Sequence, residues 1–187
     1  MKYVSGQIYQ DGEFKQGHLG FEDGIIEEMG KGPKKEALAK GIIIPTFVNT
    51  HTHIGDSVVQ EEIKGTIEEI VAPPDGMKHR ILRETPKEAM IEAMRLVTQR
   101  MLLSGIGFFT DFREGGIEGV DLFKEALMDS PMGFKVYGRP KGMNYSEDEV
   151  EMLLKSTDGI GLSAISDWNS EKITRISEHA KRKEKSF

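Results

Sequence analysis

Ile42-Ile43-Ile44-Pro45-Thr46-Phe47-Val48-Asn49-Thr50-His51-Thr52-His53-Ile54-Gly55-Asp56 is the stretch whose reading decides the fold. An apolar, β-branched run leads straight into two histidines separated by one residue. Read as a strand over residues 42–49, it points His51 and His53 to the same side at its C-terminal end, about 7 Å apart along the backbone. Two imidazoles on one face can turn inward onto one cation. The chain contains no cysteine, so disulfides and thiolate sites are ruled out and any metal must be held by histidine and carboxylate.

Upstream, residues 2–30 read as short strands punctuated by glycine. Tyr3–Tyr9 runs into Asp11-Gly12, a hairpin signal; Glu13–Phe21 follows, then a second turn at Asp23-Gly24 and a third strand, Ile25–Met29. A three-stranded meander of this size is marginal alone and needs a packing partner. The joint Gly30-Lys31-Gly32-Pro33-Lys34-Lys35 leads out of it.

Downstream, a long loop is expected from about Asp56 to Thr85, carrying Pro73-Pro74-Asp75-Gly76. Loops of such length inside compact domains are functional or mobile. The rhythm then changes. Thr85-Pro86-Lys87-Glu88 reads as a capping box, and Met90, Met94, Val97 and Met101 follow at helical spacing as a core stripe, stopped by Gly105. Strand-like Gly107–Phe112 precedes a helix over Ile117–Met128; strand-like Gly133–Gly138 precedes a helix capped at Ser146. Strand-like Gly159–Ile165 precedes a last helix from Asn169 to the basic end at Lys181-Arg182-Lys183.

The fold class is therefore α/β: a meander, then strand and helix alternating four times. Such alternation calls for a parallel sheet covered by helices, either an open doubly wound sheet or half of an eight-stranded barrel. In both, chemistry belongs at the C-terminal ends of the strands. Those ends carry the histidine pair, then Asp111, Arg113 and Glu114, then Arg139, then Ser166 and Asp167. Arg139 is a candidate to clamp a substrate carboxylate, and Asp111 to hydrogen-bond a ligand histidine or to pair with Arg113. His79 touches substrate if the long loop folds over the strand ends. Asp56 reads as a loop residue or helix cap, and His18 and His179 as exposed.

With 187 residues, 37% hydrophobic and 30% charged, the chain reads as a soluble globular protein. Its net charge of −6 argues against nucleic acid as a partner. No apolar run approaches the ~18 residues of a membrane span, and the N-terminus has no secretory h-region, so a cytoplasmic location is expected.

The layout resembles the amidohydrolase superfamily of metal-dependent hydrolases. The likeness rests on Glu22-Asp23-Gly24-Ile25-Ile26-Glu27 followed by Pro45-Thr46-Phe47-Val48-Asn49-Thr50-His51-Thr52-His53, and the strand-helix units extend it over the whole chain. The resemblance implies a (β/α)₈ barrel whose first-strand His-x-His, here His51 and His53, binds a divalent metal, commonly zinc. It further implies ligands from histidines on the fifth and sixth strands and a water-activating aspartate on the eighth. The implied reaction is hydrolysis of a carbon–nitrogen, non-peptide bond of a small molecule through a metal-activated water, either amide hydrolysis or deamination. Against that pattern the chain reaches Phe187 where a fifth strand is expected to begin. It then reads as the N-terminal half of such an enzyme: residues 1–40 a small β-meander contributing to a composite sandwich, residues 41–187 the first half of the barrel. An incomplete barrel implies completion by a missing C-terminal half or by self-association. The alternative is a non-catalytic half-barrel, a binding or assembly module completed by another chain.

Overall fold

A computed structural model describes residues 1–59, 63–72 and 76–187; the expected turn at Pro73-Pro74-Asp75 lies outside the described residues. The chain forms two compact units, Met1–Thr46 and Phe47–Phe187.

The first unit is a four-stranded mixed sheet. Strands β1 (Lys2–Gln10), β2 (Glu13–Glu22) and β3 (Ile25–Lys31) form the antiparallel meander, and β4 (Ala39–Ile43) adds to it parallel to β1, giving the order β3-β2-β1-β4. Both hairpin turns use an Asp-Gly pair with positive φ at each residue, Asp11 (53°) and Gly12 (83°), Asp23 (50°) and Gly24 (81°). That geometry matches the right-handed twist of the flanking strands. Gly6 faces Gly41 across the β1–β4 pair, and a Cβ on Gly6 would run into the Gly41 carbonyl oxygen.

The strand expected over residues 42–49 is in fact two. β4 ends at Ile43 in the first unit, and β5 (Phe47–Thr52) starts a sheet of the second. Pro45 lies between them; it has no N–H to donate to a ladder, so pairing stops there. Phe47 N–H resumes it by donating to Gly105 O at 2.8 Å.

In the second unit β5 pairs in parallel with β6 (Ile106–Arg113), β6 with β7 (Gly133–Gly138), and β7 with β8 (Gly159–Ile160). The fourth strand is shorter than expected, giving way to a 3-10 turn at Ile165–Asp167. Beyond β8, Gly159 pairs in parallel with Ser186, and Ile160 N–H donates to Ser186 O at 3.0 Å. The helices are α1 (Ile67–Val71), α2 (Met77–Glu84), α3 (Lys87–Leu103), α4 (Gly116–Leu127), α5 (Glu147–Ser156) and α6 (Ser170–Arg182).

The segment after His53, expected as an open loop, instead holds a 3-10 turn (Ile54–Val58), α1 and α2. A true capping box starts α1: the Thr66 hydroxyl accepts from Glu69 N–H while the Glu69 carboxylate accepts from Thr66 N–H. The box expected at Thr85 does not form. Its hydroxyl donates back to Ile81 O at 2.7 Å, closing α2, and α3 begins after Pro86 without a side-chain cap. Met90, Met94 and Met101 are buried as expected, with Phe109 of β6 and Phe123 of α4. A second cluster joins Val150, Leu153 and Leu154 of α5 to Ile176 and Ala180 of α6.

Both terminal histidines expected at the surface are buried. His18 is 6% exposed, between Gly32 O (2.8 Å) and Glu28 Oε1 (2.9 Å), and His179 is 3% exposed, between the Tyr145 hydroxyl and Glu151. Their burial is tolerated because both ring nitrogens find partners. Among the described residues no helix is long and apolar enough to cross a membrane.

Candidate functional site

Parallel pairing carries the end of β5 alongside the end of β6, and there the two histidines meet. His51 Nε2 and His53 Nε2 lie 3.3 Å apart. The His53 ring is oriented from behind: its Nδ1 sits 2.9 Å from the Phe112 carbonyl oxygen, which can only accept. Nδ1 therefore carries a hydrogen, which leaves Nε2 as the atom whose lone pair can meet a cation. The His51 ring stacks on Phe112, centroids 4.5 Å apart and planes 27° apart, and Phe112 stacks in turn on Tyr137. This row of rings runs across three neighbouring strands and sets the imidazole plane.

The residues fit a divalent cation. Two Zn–N bonds of about 2.05 Å meeting at a tetrahedral angle span roughly 3.3 Å between their nitrogens, the separation found here. Among the described residues no third histidine, aspartate or glutamate completes a cation-holding group.

Asp111 is fully buried and lies on the other side of β6 from Phe112, with Phe109 and Arg113, because alternate residues of a strand face opposite ways. It does not reach the histidine rings. Its Oδ2 accepts from Ile54 N–H (2.6 Å) and lies 2.9 Å from the Thr52 hydroxyl, fixing the backbone on both sides of His53. Burial pushes its pKa up, against the pull of Arg113, Ile54 N–H and Thr52. The expectation that Asp111 meets substrate is thus not what its placement offers; it supports the segment that bears the pair.

Next to it is a charge cluster centred on Glu114, 6% exposed. Lys78 Nζ of α2 lies 2.7 Å from Glu114 Oε1, Arg113 Nη2 2.8 Å from Oε2, His53 Nδ1 3.5 Å and Arg139 Nη1 3.7 Å from Oε1. Lys78 also pairs with Asp56 at 2.7 Å, so Asp56 is an ion-pair partner and not a free loop residue. Burial works against the Glu114 carboxylate, yet His53, Arg113 and Lys78 outweigh it and hold its pKa well below the usual range.

Arg139 and His79 do come together, on the wall of a cavity of about 560 Å³ between α2, α3 and the start of α4. His51 and His53 do not line it. His79 is buried and donates Nε2–H to Val71 O at 3.1 Å; burial lowers its pKa. The Glu114–Lys78 link was not legible in the sequence, since it joins residues 36 positions apart. A partial signal existed: Asp111 and Arg113 alternate on one face of an otherwise apolar strand, and charges on a covered face need partners.

Comparison with known proteins places these features in context. An uncharacterised protein of Methanocaldococcus jannaschii is 36% identical over 172 residues, covering 89% of this chain and 44% of its own length. A protein of Methanothermobacter thermautotrophicus named "Putative aminohydrolase" is 38% identical over 177 residues, covering 88% of this chain and 46% of its own. The chain thus spans a little under half the length of these relatives. Among solved structures, an N-isopropylammelide isopropylaminohydrolase from Burkholderia multivorans (TM-score 0.67, 13% identity) and a guanine deaminase from C. acetobutylicum (0.65, 10%) each share the fold over 98% of this chain and 51% of their own. So does an atrazine chlorohydrolase, TrzN, from Arthrobacter aurescens complexed with zinc (0.63, 14%; 98% and 51%). The description of the amidohydrolase family matches residues 42–185, a span that runs from the Ile42 stretch through the histidine pair and all four parallel strands. The chain belongs to the amidohydrolase family.

Proposed function

We propose that this chain is the N-terminal half of a metal-dependent hydrolase acting on non-peptide carbon–nitrogen bonds of a small molecule. In this reading β5 to β8 are the first four strands of a (β/α)₈ barrel, and the sheet of the first unit contributes to a composite sandwich. The observation that carries the reading is the facing pair of Nε2 atoms 3.3 Å apart, with the His53 tautomer set by the Phe112 carbonyl. That one relative is named an aminohydrolase, and that the solved likenesses include a deaminase and an aminohydrolase, supports the bond type. The in-order parallel sheet and the pairing of Ser186 beyond β8 support the half-barrel.

His51 and His53 would hold a divalent cation, for which zinc is the proposed identity. The chemistry such a cation supplies when bound is Lewis acidity, which activates water and polarises the scissile group. This chain's residues do the positioning. His53 keeps its lone pair outward by donating Nδ1–H to Phe112 O, Phe112 holds the plane of His51, and Asp111 pins the turn that follows.

Elemental analysis after zinc loading and desalting tests the assignment, with His51→Ala and His53→Ala alongside the parent chain. Loss of bound zinc in both variants is expected; equal zinc in all three sinks the ligand assignment. Exposed Phe47 and Val48 on the edge strand β5 lead us to expect association with a complementary half or a second copy, and light scattering showing a stable monomer would count against the half-barrel. The two-donor count favours the second reading, a half-barrel that assembles with another chain without catalysis of its own. It predicts association with no zinc bound by the parent chain.

A further inference from the structure

The cavity between α2, α3 and α4 is lined on one side by Leu82, Met90, Met94 and Leu122, of which Met94 and Met90 belong to the buried core. The same lining carries Arg139 and Lys87, with the ion pairs Arg113–Glu114 and Lys141–Glu118. A space of about 560 Å³ is within the range that holds a small organic ligand.

Arg139 is the group that gives this space a chemistry. Its side chain is 15% exposed, yet its guanidinium makes no hydrogen bond to any described residue, and its one ion pair, to Glu114, is long at 3.7 Å. Glu114 is already engaged more closely by Lys78 and Arg113, at 2.7 and 2.8 Å, so Arg139 gains little from it. The donors of that fork are thus available to an acceptor that enters the cavity. Its backbone is anchored, with Arg139 N–H donating to Arg113 O at 2.8 Å, so the side chain is presented from a fixed point. A planar guanidinium matches a planar carboxylate in two parallel hydrogen bonds.

We propose that this cavity is a binding site for a small organic carboxylate with an apolar body, the carboxylate received by Arg139 and the body lying on Leu82, Met90 and Leu122. His51 and His53 are not part of its lining, and the site needs no metal.

Isothermal titration of the EDTA-treated chain with hexanoate tests it, with hexan-1-ol and hexyl phosphate as comparators and Arg139→Gln and Met143→Trp as variants. Met143 also lines the cavity, so the second variant fills the space without removing the charge. Hexanoate is expected to saturate a single site, with hexan-1-ol roughly ten-fold or more weaker, because the charge-assisted pair is lost. Arg139→Gln and Met143→Trp should each weaken hexanoate about ten-fold while keeping the parent unfolding midpoint; if Arg139→Gln does not fold, Met143→Trp decides. The proposal is overturned by absence of saturable hexanoate binding, by hexan-1-ol binding as tightly, by hexyl phosphate binding more than about ten-fold tighter, or by unchanged hexanoate affinity in the folded variants. Because the protein is metal-free, none of these outcomes depends on whether His51 and His53 hold a cation.

Discussion

Replacing Glu114 by glutamine should destabilise the second unit by about 3 kcal/mol, the cost of leaving a buried partner uncompensated. The structure identifies which partner suffers. Lys78 keeps Asp56 at 2.7 Å, whereas Arg113, with a side chain 2% exposed, keeps only Asp111 at 3.6 Å. Urea unfolding of EDTA-treated protein at pH 7, followed by fluorescence of Trp168, measures the difference. Its pH dependence follows from the depressed pKa of Glu114, where the pull of His53, Arg113 and Lys78 exceeds the opposing effect of burial. For a carboxylate whose folded pKa lies below its unfolded value, the stabilisation is present above the unfolded pKa and lost as pH falls toward the folded one. The gap between parent and Glu114→Gln should therefore be full at pH 6–7 and shrink below about pH 4.3. A double variant, Arg113→Met with Glu114→Gln, should recover part of the loss, since an apolar replacement removes the stranded charge. A gap below about 0.5 kcal/mol at pH 7, or one unchanged between pH 7 and pH 3.5, would refute the reasoning.

Other outcomes follow from the packing. Met94 is fully buried against Phe109 and Phe123, and Met94→Ala should cost about 2–5 kcal/mol by urea unfolding; a loss within error would show that the core closes over the gap. Gly6→Ala forces a Cβ into the Gly41 carbonyl and should part β4 from β1, read as faster hydrogen exchange at Ala39–Ile43 amides; unchanged protection there speaks against the pairing. In the first unit His18, Lys34 and Tyr3 hold Glu28 at a pKa of about 2. Glu28→Gln should lower the melting temperature at pH 7, with the difference fading as pH drops from about 4.3 toward 2, and a difference independent of pH would exclude the cluster as its source.

Much of the fold was legible because it depends on local pattern. The Asp-Gly turns, the methionine stripe of α3 and the strand-helix alternation each follow from periods of two or 3.6 residues and from turn chemistry, and they appear where the sequence placed them. Errors arose where one local signal outweighed another. The run of isoleucines before Pro45 looked continuous with the histidine strand, but a proline without N–H splits it between two sheets. Thr85 matched a capping pattern, yet its hydroxyl found the Ile81 carbonyl first.

What the sequence by itself determined is that His51 and His53 share a face at the end of a parallel strand, and that the chain is an amidohydrolase-like α/β protein. Only tertiary structure decided how those rings are held and what lies behind them. Phe112 sets both imidazoles, through its carbonyl for one and its ring for the other, from a strand 59 residues away from His53. Asp111, legible as a chargeable residue at a strand end, turned out to face the helices. Arg139 turned out to line a cavity that the histidines do not line. The physical reason is the same in each case: strand alternation says that neighbouring residues point opposite ways, but which way is inward depends on what covers each face, and that is settled by packing between elements far apart in the chain.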